Sequence, residues 1–190
     1  CEANRAAGIG VRGGGVAVIR DNRLLNNALV AVGIRNGSKA TLRGNTLQRE
    51  GGMPPLVAVL EQSQAVLEKN VLSGGGVAGV LLQGTATISG NEFHGNGPRR
   101  GGPPNFGVWV RAGSTVTFHG NSVTRWRHAL HAAGAQAVKA NDNRISQFLG
   151  TGLVILNSRT PAEATGNTAF AAAPKAQAVA ITGLRGKVQV

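Results

Sequence analysis

The amino-acid sequence predicts an all-β fold, a single parallel solenoid of about eight coils, from three observations. First, an eight-residue pattern recurs: an apolar residue, any residue, an apolar residue, two variable residues, Asn, any residue and another apolar residue. Second, the asparagines of this pattern lie 23, 25, 21, 30, 22 and 24 residues apart. Third, a short segment of alternating apolar residues precedes each copy, as in a strand with one buried face. Two short strands per repeat, with Gly and Asn at the corners, indicate one coil of a solenoid.

The copy at 113–123 shows the pattern clearly, with Val116, Phe118, Asn121 and Val123 in its four defined positions. The other copies have these residues there: Ala17-Ile19-Asn22-Leu24, Ala40-Leu42-Asn45-Leu47, Ala65-Leu67-Asn70-Leu72, Ala86-Ile88-Asn91-Phe93, Val138-Ala140-Asn143-Ile145 and Ala162-Ala164-Asn167-Ala169. Asn tolerates left-handed backbone angles, so we expect these asparagines at sharp turns. Stacked coil on coil, their amides are expected to form a hydrogen-bonded ladder that is structural and does not bind ligand.

The preceding strands supply a second set of inward-facing pairs. These pairs are Ile9/Val11, Val32/Ile34, Val57/Val59, Ala78/Val80, Val108/Val110, Leu130/Ala132 and Val154/Leu156. The residue between the members of each pair should point outward. That outward row is Gly10, Gly33, Ala58, Gly79, Trp109, His131 and Ile155. It predicts a shallow trough of small residues that ends at an aromatic step.

Composition fits one domain with a continuous core, since the chain has 190 residues, 42% of them hydrophobic. The charge is unbalanced: 20 Lys and Arg against eight Asp and Glu give a formal net charge of +12. Such a field favours acidic partners, namely acidic polysaccharide, lipopolysaccharide, nucleic acid or an anionic membrane surface. The alternative is that the charge serves solubility or reflects a general preference for arginine.

Several classes of protein are excluded by what the sequence lacks. A single cysteine excludes an internal disulfide and a cysteine-based zinc cluster. No apolar run reaches about 18 residues, so we expect no transmembrane segment. No signal peptide is visible, although a mature chain would have lost one.

The recurring pattern, together with strands such as Gly107-Val-Trp-Val110, resembles the right-handed parallel β-helix repeat family, which includes pectate-lyase-like and NosD-like proteins. The resemblance covers nearly the whole chain and implies a single-stranded right-handed parallel β-helix. It also implies action on carbohydrates, as a lyase, hydrolase, epimerase or binding domain. We accordingly expect an extracellular or cell-envelope location.

The ends of the chain suggest that residues 1–190 form one domain belonging to a longer solenoid. Residues 1–6 fit the pattern with Cys1 and Ala6 inward and Asn4 at the turn, and 187–190 resemble a pattern broken off early. The alternative for Cys1 is the lipidated first residue of a mature lipoprotein. Within the 30-residue interval, the Gly- and Pro-rich segment 94–105 predicts a protruding loop.

The best candidate binding residues cluster around the loop and the two coils that follow it. An exposed Trp face suits stacking on a sugar ring, and guanidinium groups pair well with carboxylate or sulfate. The candidate ligand-binding residues are Trp109, Arg111, His119, Trp126, Arg127 and His131. Other basic residues in this region are Arg99, Arg100, Arg125, His128 and Lys139. The alternatives are that the loop covers Trp109 and that the charges are simply solvated.

Catalysis has weaker support in the sequence. Glycoside hydrolysis needs two carboxylates at one site, and no two acidic residues share an obvious row on neighbouring coils. The weak catalytic candidates are Lys139, as a base for β-elimination, and His131, assisting it. A metal site built from His119, His128 and His131 is not expected, because their spacing does not suit one, and no cofactor is expected.

The sequence thus favours a carbohydrate-binding or polysaccharide-processing module for an acidic glycan. The second hypothesis is a non-enzymatic structural or adhesion segment of a larger surface protein, in which the coils act as a spacer. The third is a polysaccharide lyase or epimerase whose acidic residues lie outside this chain.

Overall fold

A computed structural model describes residues 1–97, 103–172 and 175–182 and shows a parallel β-solenoid, which confirms the predicted fold class. Among the described residues, each of the first seven coils contributes one strand to each of three parallel sheets, and the eighth contributes one strand to the first of them. Sheet I contains β1 (Ile9–Val11), β4 (Val32–Ile34), β7 (Val57–Val59), β10 (Ala78–Leu82), β13 (Phe106–Val110), β16 (His128–Ala133), β19 (Thr151–Leu156) and β22 (Gln177–Thr182). Sheet II contains β2 (Val16–Arg20), β5 (Lys39–Arg43), β8 (Gln64–Glu68), β11 (Thr85–Ser89), β14 (Thr115–His119), β17 (Ala137–Asn141) and β20 (Glu163–Thr165). Sheet III contains β3 (Arg23–Leu25), β6 (Thr46–Arg49), β9 (Val71–Gly74), β12 (Glu92–Gly95), β15 (Ser122–Thr124), β18 (Arg144–Phe148) and β21 (Thr168–Ala171).

Three strands per coil is one more than the sequence pattern predicted. The recurring pattern is two strands joined by a turn, since its first two apolar residues lie in sheet II and the last lies in sheet III. Ala86 and Ile88, for example, lie in β11, and Phe93 lies in β12. The turn occupies only the residues around Asn91, which is why the pattern looked continuous.

The core runs along the solenoid axis and consists of like residues stacked on like. In sheet II the register places Leu42 on Leu67 and Leu67 on Ile88, and all three are fully buried. Burying each such side chain contributes about 1.5–3 kcal/mol of hydrophobic free energy. The core therefore does not depend on any single coil, because each coil covers the next.

The pattern asparagines form the expected ladder. In the middle of it, Asn70 Oδ1 accepts from both the backbone N–H and the Nδ2 of Asn45, each at 2.9 Å. Asn70 in turn donates from the same two groups to Asn91 Oδ1, again at 2.9 Å. Its Nδ2 also donates to the carbonyl of Leu42, at 2.9 Å. The same pattern runs from Asn22 to Asn167, so each amide between these two ends is bonded to the coils on both sides.

The left-handed backbone angle, however, belongs to the residue before each asparagine and not to the asparagine itself. These residues have φ between 51° and 65°: Asp21, Gly44, Lys69, Gly90, Gly120, Asp142 and Gly166. The prediction that the ladder asparagines hold the left-handed turn angle is therefore wrong. Their role is to supply the amide hydrogen bonds.

The predicted inward pairs are right in five coils and misplaced in two. Val80 and Leu82 pair with Val57 and Val59, whereas Ala78 and Val80 were expected there. The reason is the length of the turn between sheets I and II. Residues 60–63 separate β7 from β8, but only Gln83 and Gly84 separate β10 from β11, so the inward positions of β10 lie closer to the asparagine than expected.

A similar shift affects the coil that contains β19. Leu153 and Ile155 take the inward positions, since they pair with Leu130 and Ala132, and Val154 pairs with His131. Val154 and Leu156 had been expected inward. The outward row is therefore Gly10, Gly33, Ala58, Leu81, Trp109, His131 and Val154, with Leu81 and Val154 in place of Gly79 and Ile155.

The register expected for the first residues is also wrong. Asn4 does not join the ladder at Asn22; its backbone N–H and Nδ2 donate to Asn27 Oδ1 at 3.2 and 2.7 Å. Glu2 pairs with Leu25, so this segment lies beside β3 in sheet III. Cys1 is exposed, not inward as expected.

The predicted loop at 94–105 begins later than expected, since β12 continues through Gly95. Residues 98–102, which include Arg99 and Arg100, and the chain end at 187–190 lie outside the described residues. Within the described part of the chain, no helix is long and apolar enough to cross a membrane.

Candidate functional site

The outward face of sheet I carries a cluster of rings at β13 and β16. Phe106 stacks on Trp109 with ring centroids 4.9 Å apart and on His128 at 5.1 Å. His131 lies 5.2 Å from Phe106 and 6.0 Å from His128. The register places Trp109 beside His131 and Phe106 beside His128 on adjacent strands.

This cluster exists because the inward–outward alternation is interrupted at Gly107. Residues three apart on a regular strand point to opposite faces, yet the rings of Phe106 and Trp109 stack. Gly107 makes room for the change, since a Cβ there would lie 2.6 Å from the carbonyl oxygen of Ala129. The interruption thus brings two rings from each of two strands onto one face.

Beside the cluster, Trp109 and Arg111 line a shallow depression, which we call the Trp109 depression. The guanidinium carbon of Arg111 lies 4.6 Å from the centroid of the Trp109 ring, in a cation–π contact. The depression has a volume of about 390 Å³ and is lined by Glu61, Gln83, Trp109, Val110, Arg111, Ala112 and Ala133. Trp109 is half-buried and Arg111 is exposed, so both side chains remain accessible to solvent.

The two histidines of the cluster are held in the neutral form near pH 7. Burial, followed by the charges of His131 and Arg127, lowers the pKa of His128 to about 4. Burial also lowers the pKa of His131. His128 Nδ1 is 2.6 Å from the Thr151 hydroxyl, and His131 Nδ1 is buried with no hydrogen-bond partner among the described residues. These two imidazoles therefore add little positive charge to the surface at neutral pH.

Two of the predicted ligand-binding residues lie away from the Trp109 depression. Trp126 is fully buried in the core, so it presents no face to a ligand and its assignment as a binding residue is wrong. Arg127 is partly buried in the turn before β16, where its backbone N–H donates to Asn105 Oδ1 at 3.3 Å. The positive charge of Arg127 contributes to the lowered pKa of His128, which is one of the rings of the cluster.

Two further candidates lie on sheet II, a different side of the solenoid. His119 is exposed at the end of β14 and forms an ion pair with Asp142 at 3.4 Å. Lys139 in β17 forms an ion pair with Glu163 at 3.4 Å. Because His131 lies on sheet I, the structure does not bring the proposed catalytic pair of Lys139 and His131 together.

Sequence reasoning missed Phe106, Gln83 and Glu61 on this surface, and it named His128 only among the basic residues around the candidate site, not as a ring of the cluster. One signal pointed to Phe106 and His128. Phe106 and Trp109 have the same three-residue separation as His128 and His131, which an interrupted strand in adjacent coils would explain. No sequence signal marked Gln83 and Glu61, since they reach the depression from neighbouring coils through turns of different length.

No metal centre is evident in the described part of the chain, where no three His, Cys, Asp or Glu side chains are grouped closely enough to hold an ion.

The fold and this surface together define a β-helix protein with an aromatic and arginine-lined face. A family described as right-handed β-helix region matches residues 1–123 and again 55–189. The chain therefore belongs to the right-handed β-helix family. No match was found among curated proteins or solved structures.

Proposed function

We propose that this β-helix binds an acidic carbohydrate at the Trp109 depression. The observation that carries the proposal is the pairing of an accessible indole with an exposed guanidinium in one concave surface. An acidic sugar offers what these two groups recognise, an apolar ring face and a carboxylate or sulfate. The net charge of +12 would attract such a polyanion from a distance.

The other residues of the depression suit a sugar as well. Gln83 offers both amide donors and an acceptor, and the Glu61 carboxylate accepts hydrogen bonds from hydroxyls. Glu61 also disfavours a second acidic group beside it. The acidic group of the ligand is therefore expected at Arg111, with hydroxyls toward Glu61.

Binding is better supported than processing. Among the described residues Glu61 is the only carboxylate lining the depression, and glycoside hydrolysis requires two. His131 and Lys139 lie on different sheets, which weakens the case for a lyase. A glycan-binding role implies an extracellular or cell-envelope location.

The test is calorimetric titration with uronic-acid and sulfated oligosaccharides of the wild type and three variants. Arg111→Ala and Trp109→Ala should each weaken binding about tenfold or more, corresponding to roughly 1.4 kcal/mol. Trp109→Phe keeps an aromatic ring, so it should lose less binding affinity than Trp109→Ala. Arg144→Ala is the matched control, because it removes an exposed arginine from sheet III. No binding by the wild type, or an equal loss in Arg144→Ala, would contradict the proposal.

A rigid spacer within a larger surface protein is the second candidate function. The asparagine ladder from Asn22 to Asn167 supports it, because it connects all coils between these residues. This role predicts high resistance to mechanical unfolding along the axis, measurable by single-molecule force spectroscopy. Rupture of coils one at a time at low force would count against it.

A further inference from the structure

Arg49 is a buried arginine at the end of β6, only 5% exposed. On the neighbouring strands its position is occupied by Gly74 and then Gly95. The two glycines need no space for a side chain at this position, whereas Arg49 places a large charged side chain there. A buried guanidinium is uncommon unless a carboxylate or another anion accompanies it.

Among the described residues, the guanidinium donates only to neutral carbonyl oxygens. Its Nη2 donates to the carbonyl of Asn27 at 2.7 Å and to the carbonyl of Leu29, and its Nη1 lies 3.5 Å from that of Ala28. Its Nε is buried and has no hydrogen-bond partner in the part of the chain that the structure describes. A guanidinium has five N–H groups, so part of its donor capacity is unused here.

No carboxylate neutralises this charge within the described ranges, where the ion pairs do not include Arg49. Burial lowers the pKa of Arg49, but an arginine side chain stays protonated at neutral pH. The backbone of neighbouring Glu50 is held by Asn26 and Asn96, and its exposed carboxylate does not pair with Arg49. A buried charge that lacks an anion carries a desolvation cost that an anion would offset.

Arg49 also lines a concave surface that is open to solvent, which we call the Arg49 depression. It has a volume of about 440 Å³ and is lined by Asn26, Asn27, Ala28, Arg49, Glu50, Gly51, Gly52 and Pro54. This volume falls in the range of small-molecule sites. Gly51 faces open space, since a Cβ there would meet no atom of the described residues within 4 Å.

We propose that the Arg49 depression binds a small molecule carrying a carboxylate or sulfate group, with Arg49 as its counter-charge. The Nε–H of Arg49 has no hydrogen-bond partner among the described residues, so it is the donor available to an oxygen of such a group. A modest rearrangement of Arg49 on binding would bring Nε to the ligand. The site lies on different coils from the Trp109 depression, so this proposal does not rest on glycan binding there.

The test is isothermal titration of the full chain with sodium sulfate and, separately, sodium glucuronate, at constant ionic strength. Arg49 itself is a poor variant because its removal would also release the 27–29 carbonyls. Gly51→Glu is preferable: it adds a competing carboxylate without steric conflict and should weaken binding at least about tenfold. Glu50→Gln removes the nearby negative charge and should strengthen binding about twofold.

Gly10→Glu is the matched control, because it makes the same substitution on sheet I, where a Cβ also meets no atom within 4 Å. Its affinity for both anions should equal that of the wild type. Sulfate and glucuronate binding would each support the proposal, and their ratio identifies the preferred group. Absence of binding for both anions, or equal affinity of wild type and Gly51→Glu, would overturn it and indicate general attraction to a basic surface.

Discussion

The turn between sheets II and III requires one residue with a left-handed backbone angle in every coil. Glycine or aspartate supplies it in six coils, and Lys69, with φ of 51°, supplies it in the remaining one. For an ordinary L-residue this conformation costs roughly 1–2 kcal/mol. Glycine avoids that cost but loses more entropy on folding, by about 0.5–1 kcal/mol. The steric term is the larger of the two, so Lys69 is a source of strain.

Lys69→Gly is therefore expected to raise the free energy of unfolding by about 0.5 kcal/mol. The reverse change, Gly120→Lys, should lower it by a similar amount, since a Cβ at Gly120 meets no other atom and only the backbone angle is tested. Urea denaturation of both variants measures the effect. A loss of stability in Lys69→Gly would show that the lysine side chain contributes contacts that outweigh the strain.

His128 makes stability depend on pH in a defined window. Its pKa is about 4 in the folded protein against 6.5 for a free imidazole, so the unfolded chain takes up this proton first as the pH falls. Stability is then constant above about pH 6.5 and declines toward pH 4. After allowance for the partial exposure of the ring, we expect a loss on the order of 1 kcal/mol. Thermal unfolding of the wild type and His128→Gln across this range should show a shallower decline in the variant; equal declines would contradict this assignment.

At the level of structural elements, the ladder predicts that its central asparagines matter more than its terminal ones. Removing the Asn91 side chain deprives the two donors of Asn70 of their acceptor in a buried site, and it takes away the Nδ2 group that donates to the Leu67 carbonyl and to Asn121 Oδ1. Asn91→Ala should cost about 3 kcal/mol, whereas Asn22→Ala, partly exposed, should cost about 1 kcal/mol or less. Chemical denaturation would compare the free energies of unfolding of the two variants. An equal loss of stability in both would mean that the ladder is not cooperative.

The inward positions of sheets II and III and the ladder could be predicted because their residues lie at fixed distances from each asparagine, although the pattern did not show that these positions belong to two separate strands. The strands of sheet I could be predicted less well, because the turn that joins them to sheet II varies in length. Two residues join β10 to β11, and that change alone moved Leu81 into the row where Gly79 was expected. A repeat pattern therefore predicts which residues of neighbouring strands pair, but the prediction fails for strands that lie beyond a turn of variable length.

The candidate site could be predicted only in part, for a related reason. Trp109 and His131 share a register position and Arg111 directly follows the strand that holds Trp109, so their proximity could be predicted from the sequence. Trp126 and Lys139 are near them in sequence, but the corners direct one into the core and the other onto sheet II. Proximity along a coil says little about which side of the solenoid a side chain faces.

For the whole molecule, the dominant physical feature is charge. A net charge of +12 is offset by few ion pairs: the described residues contain four, and two of these require a protonated histidine. In one row Arg20 and Arg43 are direct neighbours in the register, with Glu68 available only to Arg43, at 3.6 Å. Repulsion among these groups opposes the compact state.

The same charge predicts opposite effects of salt on folding and on glycan binding. Raising NaCl from about 20 to 300 mM shortens the Debye length from roughly 20 to 6 Å, which screens the repulsion and should raise the melting temperature by a few degrees. Attraction to an acidic glycan is screened as well, so its affinity should fall over the same range. The triple variant Arg12→Gln, Arg20→Gln, Arg35→Gln removes three exposed charges from the first two coils. It should flatten the salt dependence of stability more than the salt dependence of glycan affinity. If affinity for glycan were independent of salt while stability rose, the ligand would be recognised through its ring faces and hydroxyls, and Arg111 would have no role as a counter-charge.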